Sequence, residues 1–216
     1  MSVFPTSPGF SDPVDDAQAV FRAVLTAFSR PGIPVLLPNL PSALPAGGFS
    51  QGMLALALTL CDGDTPLWLD EAADTPEARH HLRFHCGSPF ASTPAEAAFA
   101  FIARPEAMPR FVDFNQGRTD FPDRSATLII SAKLSERSEQ AHELSGPGVK
   151  GNDRGDGQRF SVSGLPIWFW KDWEANHASY PLGVDILFVD TSSSQVLGLP
   201  RTARVRESAK ESALCM

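Results

Sequence analysis

The chain has 216 residues, of which 43% are hydrophobic and 20% charged, a balance typical of one globular domain and unlike that of a disordered or fibrous chain. Its formal net charge of -7 and pI near 5.2 argue against duplex nucleic acid as a partner, since such binding needs Lys and Arg to neutralise phosphates. No apolar run approaches the roughly 20 residues that span a bilayer, and the first residues lack the charged and apolar regions of a signal peptide. We therefore expect a cytoplasmic protein that binds neither membrane nor nucleic acid.

Three cysteines, Cys61, Cys86 and Cys215, are odd in number, far apart and without a C-x-x-C spacing. That pattern suggests neither a disulfide framework nor a zinc knuckle. We expect reduced thiols.

The first half of the chain reads as helices that alternate with short strands. Asp12-Pro13 opens an amphipathic helix that ends before Pro31-Gly32, because proline cannot continue a helix and disfavours helical geometry at the residue before it. A second helix is predicted at 51–60, and a third follows Thr75-Pro76 and reaches about His81 or Phe84. Strands are predicted at 33–37, 65–69, 98–102 and 126–131.

The second half contains a glycine-rich stretch at 140–160, an aromatic helical segment at 165–173, a strand at 184–189 and a hairpin at 192–206. We predict one α/β domain over residues 1–206, a three-layer αβα sandwich with a mixed sheet. Residues 207–216 are predicted to be a polar, mobile tail.

The glycine-rich stretch contains a G-x-G-x-x-G pattern at 146–151. In dinucleotide-binding folds this pattern joins a strand to a helix, and the residues that follow Gly151 here are poor helix formers. We interpret the stretch as a hairpin loop, with a backbone anion nest as the alternative.

Two groups of residues have metal-ligand character. His81 and His85 are four residues apart, as two ligands on one helical turn are, with His80 and Cys86 beside them. Asp62, Asp64 and Asp70 could hold Mg²⁺ at strand ends, although Asp-Gly-Asp is also an ordinary turn composition. Because neither group is joined by a second set of ligands in the sequence, we predict no metal ion.

Asp185 and Arg201 flank two predicted apolar strands. The arginine could bind a phosphate or carboxylate through two hydrogen bonds. The alternative, which we favour, is a buried ion pair between the two side chains or simple capping.

Ten short phrases, in order along residues 16–202, resemble one family, the H subunits of the bacterial carbon–phosphorus lyase complex (PhnH). The phrases lie at 16–18, 21–22, 29–32, 58–60, 64–69, 82–85, 126–129, 144–149, 181–185 and 199–202. The resemblance implies an αβα frame like that of pyridoxal-phosphate-dependent transferases without the cofactor, in a homodimer. The lysines available for a Schiff base are Lys133, Lys150, Lys171 and Lys210, and none lies in a motif that assigns it this role.

The resemblance further implies a non-autonomous subunit that works with the G, I, J and L subunits. They transfer a phosphonate to the ribose of ATP with release of adenine, giving ribose 1-methylphosphonate 5-triphosphate, and ATP and phosphonate would meet at a shared site. The family supplies no catalytic residue for this chain. Polar groups within the matching phrases form the candidate ligand or partner surface: Arg83, His85, Asp185 and Arg201. The alternatives are an independent enzyme that binds a phosphorylated cofactor and a purely structural dimeric adaptor.

Overall fold

The computed structural model describes residues 7–44, 47–135, 141–150 and 157–207. Four α-helices lie in these ranges: α1 (Pro13–Ser29), α2 (Gln51–Leu60), α3 (Pro76–Cys86) and α4 (Phe169–Ala178). Nine strands accompany them: β1 (Val35–Leu36), β2 (Leu67–Leu69), β3 (Phe99–Ile102), β4 (Thr127–Ser135), β5 (His142–Ser145), β6 (Gln158–Ser163), β7 (Asp185–Asp190), β8 (Gln195–Leu199) and β9 (Arg204–Glu207).

Side chains at the helix starts satisfy backbone N–H groups that have no partner within the helix. Asp12 accepts from the N–H groups of Val14 and Asp15, both at 3.1 Å, immediately before α1. Ser50 caps α2 and Thr75 caps α3 in the same way. The first three helices therefore begin where their local sequence predicts.

The strands form one curled mixed sheet. Strands β2, β3, β4 and β7 run parallel in that spatial order, and β8 and then β1 extend the sheet beyond β7 by antiparallel pairing. The long strand β4 also leaves the main sheet, because its last three residues pair antiparallel with β6. Strand β5 lies between β6 and β9, and these pairings form an antiparallel extension of the sheet.

Helices cover both faces of the main sheet. Successive side chains of β7 alternate between two cores: Leu187 and Val189 pack with the apolar faces of α1, α2 and α3, whereas Ile186 and Phe188 face the opposite side. There they meet α4, whose Phe169 ring lies 5.8 Å from that of Phe188. The predicted mixed α/β class is confirmed.

Most predicted elements are present with small differences at their ends. Helix α2 spans the predicted residues, α3 extends two residues beyond the predicted limit, and α4 begins four residues later than predicted, after a turn at Pro166. The glycine-rich stretch is the connection of a hairpin, as interpreted, since β5 and β6 pair antiparallel on either side of it. Residues 151–156 of that stretch lie outside the described residues.

The predicted hairpin at 192–206 is wrong. Strand β8 pairs with β7 and β1, and β9 pairs with β5, so the turn between them joins two different parts of the sheet. The predicted tail, apart from Glu207, lies outside the described residues. None of the helices described here is long and apolar enough to cross a membrane.

Candidate functional site

Arg201 lies at the edge of the sheet where the parallel strands begin. Asp185 is the first residue of β7, and Arg201 follows β8, which runs antiparallel to β7 and ends beside it. The Arg201 N–H donates to Asp185 Oδ1 at 2.7 Å, and its guanidinium forms an ion pair with the same carboxylate. The ion pair that the sequence favoured is therefore present.

The guanidinium of Arg201 also contacts the loop before β4 and the loop before β7. It donates to the carbonyl oxygens of Pro122 at 3.1 Å and Pro181 at 3.3 Å, and to the hydroxyl of Ser125. Only 11% of the Arg201 side chain and 25% of the Asp185 side chain is exposed. Arg201 thus joins three segments of the chain at one point.

A histidine on α4 extends this arrangement toward β9. The Nε of Arg204 donates to His177 Nε2 at 3.0 Å, and His177 Nδ1 lies 2.9 Å from the carbonyl oxygen of Arg201. Because an arginine N–H can only donate, Nε2 accepts and the Nδ1–H donates to the carbonyl. This arrangement corresponds to neutral His177 with its proton on Nδ1.

Arg83 and His85 lie elsewhere, near the end of α3, where Gly87 adopts a left-handed conformation with φ of 69° and stops the helix. Both side chains are exposed. The Arg83 guanidinium lies 5.5 Å from the ring centre of Phe90, and His85 Nε2 lies 3.0 Å from the carbonyl oxygen of Ser7. No described hydrogen bond, ion pair or ring contact joins this pair to Asp185 or Arg201, so the four candidates occupy two separate places.

His81 faces the core. Its ring centre is 4.3 Å from that of His85, as the helical spacing predicts, but only 2% of His81 is exposed. Burial, and secondarily the charges of His85 and His80, lower the pKa of His81 to about 4. Within the ranges that the structure describes, no three His, Cys, Asp or Glu side chains lie together as a metal site would require.

Other polar groups considered as ligands have structural roles. Asp70 accepts from the N–H of Ala73 at 2.9 Å and from that of Arg104 at 2.7 Å, and Asp62 accepts from the N–H of Asp64. Burial raises the pKa of the Cys61 thiol well above its ordinary value, and burial together with the charge of Asp62 raises that of Cys86 to about 12. Both cysteines are therefore protonated near neutral pH.

Three of the four lysines considered for a Schiff base lie on the surface. Lys133, Lys150 and Lys171 are exposed, and Lys210 lies outside the described residues. A Schiff-base lysine needs a desolvated pocket or a nearby cation to lower its pKa.

One buried acid was not singled out from the sequence. Asp190, at the end of β7, accepts hydrogen bonds from the N–H of Leu134 at 2.7 Å and from the N–H groups of Ser192 at 2.8 Å and Ser193 at 2.7 Å. Burial alone would raise the pKa of Asp190, but these hydrogen bonds and one from the Ser192 hydroxyl outweigh it and lower the pKa. The Asp-x-Ser-Ser turn composition after an apolar strand is the signal that could have identified it.

Comparison with known proteins gives the family to which this chain belongs. Residues 8–206 match a family model described as "Bacterial phosphonate metabolism protein (PhnH)". The chain is 38% identical over 199 residues to the alpha-D-ribose 1-methylphosphonate 5-triphosphate synthase subunit PhnH of Rhizobium meliloti (strain 1021), covering 92% of this chain and 94% of the relative. It is 32% identical over 193 residues to HtxG of Stutzerimonas stutzeri, which carries a provisional C-P lyase subunit name, covering 87% and 85% of the two chains.

The chain is thus a bacterial phosphonate-metabolism protein. It belongs to the PhnH family, as its sequence phrases indicated.

Proposed function

We propose that this chain is a non-autonomous subunit of a cytoplasmic carbon–phosphorus lyase system, and that it supports transfer of a phosphonate to the ribose of ATP. The observation that supports this proposal most strongly is the 38% identity to a subunit of a ribose 1-methylphosphonate 5-triphosphate synthase, along nearly the whole of both chains. In that reaction the bond from ribose C1 to adenine breaks, a bond from C1 to a phosphonate oxygen forms, and adenine leaves. The G, I, J and L subunits are the proposed partners, with ATP and phosphonate at a site shared among them.

The direct test is reconstitution with one subunit omitted. Partner subunits are mixed with ATP and methylphosphonate, with and without this chain, and adenine release is followed. We expect release to require this chain. Equal release without it would refute its part in the transfer step and leave a structural adaptor as the remaining interpretation.

A subunit must offer a surface to its neighbours, and the outer face of α1 is suited to this. Val14, Phe21 and Leu25 are 64%, 46% and 53% exposed, and Gln18 lies between them. The spacing of these four residues, 4-3-4, is the spacing of a coiled-coil seam. We refer to Val14, Gln18, Phe21 and Leu25 as the α1 stripe, and apolar stripes of this kind mark protein contacts.

The occupant that we propose for the α1 stripe is the same helix of a second copy, running antiparallel. In that arrangement Val14 faces the partner's Leu25, and Gln18 faces the partner's Phe21. Asp15, in the first turn, then lies close to the partner's Arg22, and the two-fold axis repeats this pair of opposite charges. In such a contact apolar residues of the stripe lie against each other and the flanking charges are complementary, which supports a homodimer.

Charge reversal tests this homodimer. We expect Asp15→Arg to weaken the dimer by placing like charges together, and the double variant Asp15→Arg/Arg22→Asp to restore it, as measured by sedimentation velocity. Glu106→Arg, an exposed change in the turn at Pro105–Ala107, is the matched control and should leave the dimer unchanged. A monomeric wild type, or a double variant no better than the single one, would contradict the antiparallel contact.

Arg83 and His85 are proposed as part of the contact with another subunit. They flank Phe84, which is 66% exposed, so the end of α3 offers a cation, an aromatic ring and an imidazole together. Arg83→Ala/His85→Ala should lower adenine release in the reconstituted system and leave the stability of the isolated chain unchanged. Asp185 and Arg201 would then act by holding the sheet edge in place.

We further propose that the frame is a three-layer αβα sandwich related to pyridoxal-phosphate-dependent transferases. Its support is the parallel core of the sheet between α1–α3 and α4. A visible absorbance band after addition of pyridoxal phosphate, lost on changing one lysine, would point instead to an enzyme that still binds this cofactor.

A further inference from the structure

A cleft of about 400 Å³ lies where β4 leaves the main sheet. Its walls come from the connection between α1 and β1, the end of β4, the start of β6 and one residue of β8. The larger apolar lining residues are Ile33, Pro34, Leu134, Phe160 and Leu197, and Gln158 and Arg159 supply polar groups. The volume lies within the range of about 300–1,000 Å³ that small-molecule sites occupy.

The topology of the sheet creates this cleft. Strand β4 pairs with β6 only over 133–135 and 161–163. The first residues of β6, Gln158 to Phe160, pair with β5 on one side and have no described strand beside them on the other. A strand edge thus borders the cleft where the connection after α1 passes.

Gly32 brings that connection close to β6. Its φ of 82° is a left-handed conformation, and a Cβ built on it would lie 2.9 Å from Cγ of Gln158. A larger residue would therefore displace one wall of the cleft. Because glycine has no Cβ, the connection that contains Ile33 and Pro34 can lie close to the start of β6.

Arg159 makes the rim of this cleft cationic. Its side chain is exposed, and none of the ion pairs among the described residues includes it. Glu143 lies opposite Arg159 in the strand register, but its Oε1 accepts from the N–H of Gly157 at 2.7 Å. The N–H groups of the Arg159 guanidinium are therefore available to hydrogen-bond with a bound ligand.

Two other cavities give a contrast. In one, also of about 400 Å³, Arg110 is already paired with Asp172. In the other, of about 200 Å³, Arg104 shares the lining with Asp70 and Glu71. The cleft beside Arg159 combines an apolar interior with a cation that forms no ion pair with any described carboxylate.

The surrounding strand face adds to the positive potential. Arg206 lies opposite Glu143 on β9, Arg204 is two residues before it, and Lys133 lies on the same face at the end of β4. The described charges of this face are thus four cations and Glu143, in a chain whose formal net charge is -7. Such a local excess of one sign raises the concentration of oppositely charged ligands.

We propose that this cleft binds a small organic anion that carries a phosphate or phosphonate group on an apolar body. The guanidinium of Arg159 binds the anionic oxygens through two parallel hydrogen bonds, and the body lies against Ile33, Pro34, Leu134 and Leu197. The site belongs to the isolated chain and does not rest on the subunit function proposed above.

Calorimetric titration of the isolated protein with ATP, inorganic tripolyphosphate and adenosine tests the site. We expect ATP to bind more tightly than tripolyphosphate, since only ATP has a purine ring whose face can lie against the apolar wall, and adenosine not to bind measurably. Arg159→Gln should weaken ATP binding about tenfold or more, because it removes a charge-assisted pair. Arg104→Gln, which changes the net charge equally at another exposed arginine, should weaken it less than about twofold.

Several results would overturn the proposal: no binding of ATP at 10 mM, binding of tripolyphosphate as tight as that of ATP, or equal weakening by both arginine changes. Adenine release by the reconstituted subunits is measured separately. A result that refutes ligand binding in the cleft can therefore be distinguished from one that refutes the proposed subunit function.

Discussion

Arg201 and Asp185 join the end of β8 to the start of β7 through both the backbone and the side chain of the arginine. The Arg201 Nε lies 3.1 Å from Oδ1 and 3.2 Å from Oδ2 of the carboxylate, and Nη2 also contacts Oδ2. Nη1 donates to Pro122 and Pro181, and the second N–H of Nη2 is directed to Ser125. Since a guanidinium has five N–H groups, this accounts for all of them.

We expect Arg201→Ala to lower the free energy of unfolding by about 3 kcal/mol, because in a largely buried place it leaves two carbonyl oxygens without the guanidinium and Asp185 with only the backbone N–H of residue 201 as a donor. Urea unfolding measures this, with Arg118→Ala as the control, since the Arg118 side chain is 78% exposed and should matter little. If Arg201→Ala were as stable as wild type but inactive in the assembly, Arg201 would be a ligand contact instead.

Local signals predicted those elements whose ends are set by neighbouring residues. Helix α2 was predicted at its observed residues because Cys61-Asp62-Gly63-Asp64 turns the chain directly after it, and the structure shows that Ser50 caps its start. The hairpin predicted at 192–206 was wrong because the pairing of β9 depends on a distant segment of the chain. The turn at Pro200-Arg201 resembles that of a hairpin, but β9 pairs with β5, some sixty residues earlier in the chain, and no local pattern encodes that pairing.

The candidate site also combines features that local sequence predicts with features that arise only when distant segments meet in the fold. The Asp185–Arg201 pair could be predicted because both residues flank apolar strands, whereas Ser125 and the two proline carbonyls become neighbours only in the folded chain. Burial of His81 could have been predicted from the sequence, since His81 shares a helical face with Ala78 and Leu82. The cleft beside Arg159 could not have been predicted, because its walls come from four separate segments.

Asp190 should make stability depend on pH in the acid range. Its pKa is lowered in the folded state, so its contribution is complete above the unfolded value of about 4 and is lost as the pH falls further. Asp190→Asn should lower the free energy of unfolding by about 2 kcal/mol at pH 7, because one amide nitrogen must face an N–H donor, from Leu134 or from the serines. Unfolding measured between pH 3 and pH 7 should show a smaller acid slope in this variant, and an unchanged slope would contradict the assignment. Asp120→Asn, at an exposed acid, is the control.

His81 should also make stability depend on pH, at higher pH than Asp190 does, but its buried imidazole should not stabilise the fold. Neither ring nitrogen has a hydrogen-bond partner among the described residues, and the folded pKa of about 4 lies below the unfolded value of about 6.5. Stability is therefore lost as the pH falls from about 6.5 to about 4, where the unfolded chain binds a proton that the folded chain does not. His81→Leu should remove this loss and raise the free energy of unfolding at pH 7 by about 1 kcal/mol, as an apolar group replaces an unsatisfied polar one. If the variant kept the wild-type pH dependence between 6.5 and 4, the effect would belong to another group.

At Gly198, β8 lies close to the backbone of α1. A Cβ at this position would lie 2.5 Å from the carbonyl oxygen of Ala27 and 2.9 Å from the N of Phe28, both backbone atoms that cannot move without shifting the helix. We expect Gly198→Ala to lower the free energy of unfolding by about 2 kcal/mol or more, in the range of overpacked cores. Gly63→Ala adds the same methyl group where no atom lies within 4 Å, and it should be neutral or slightly stabilising by its effect on the unfolded chain. Thermal and urea unfolding of the two variants compare these effects directly, and equal stability would mean that α1 can move away from β8 at little cost.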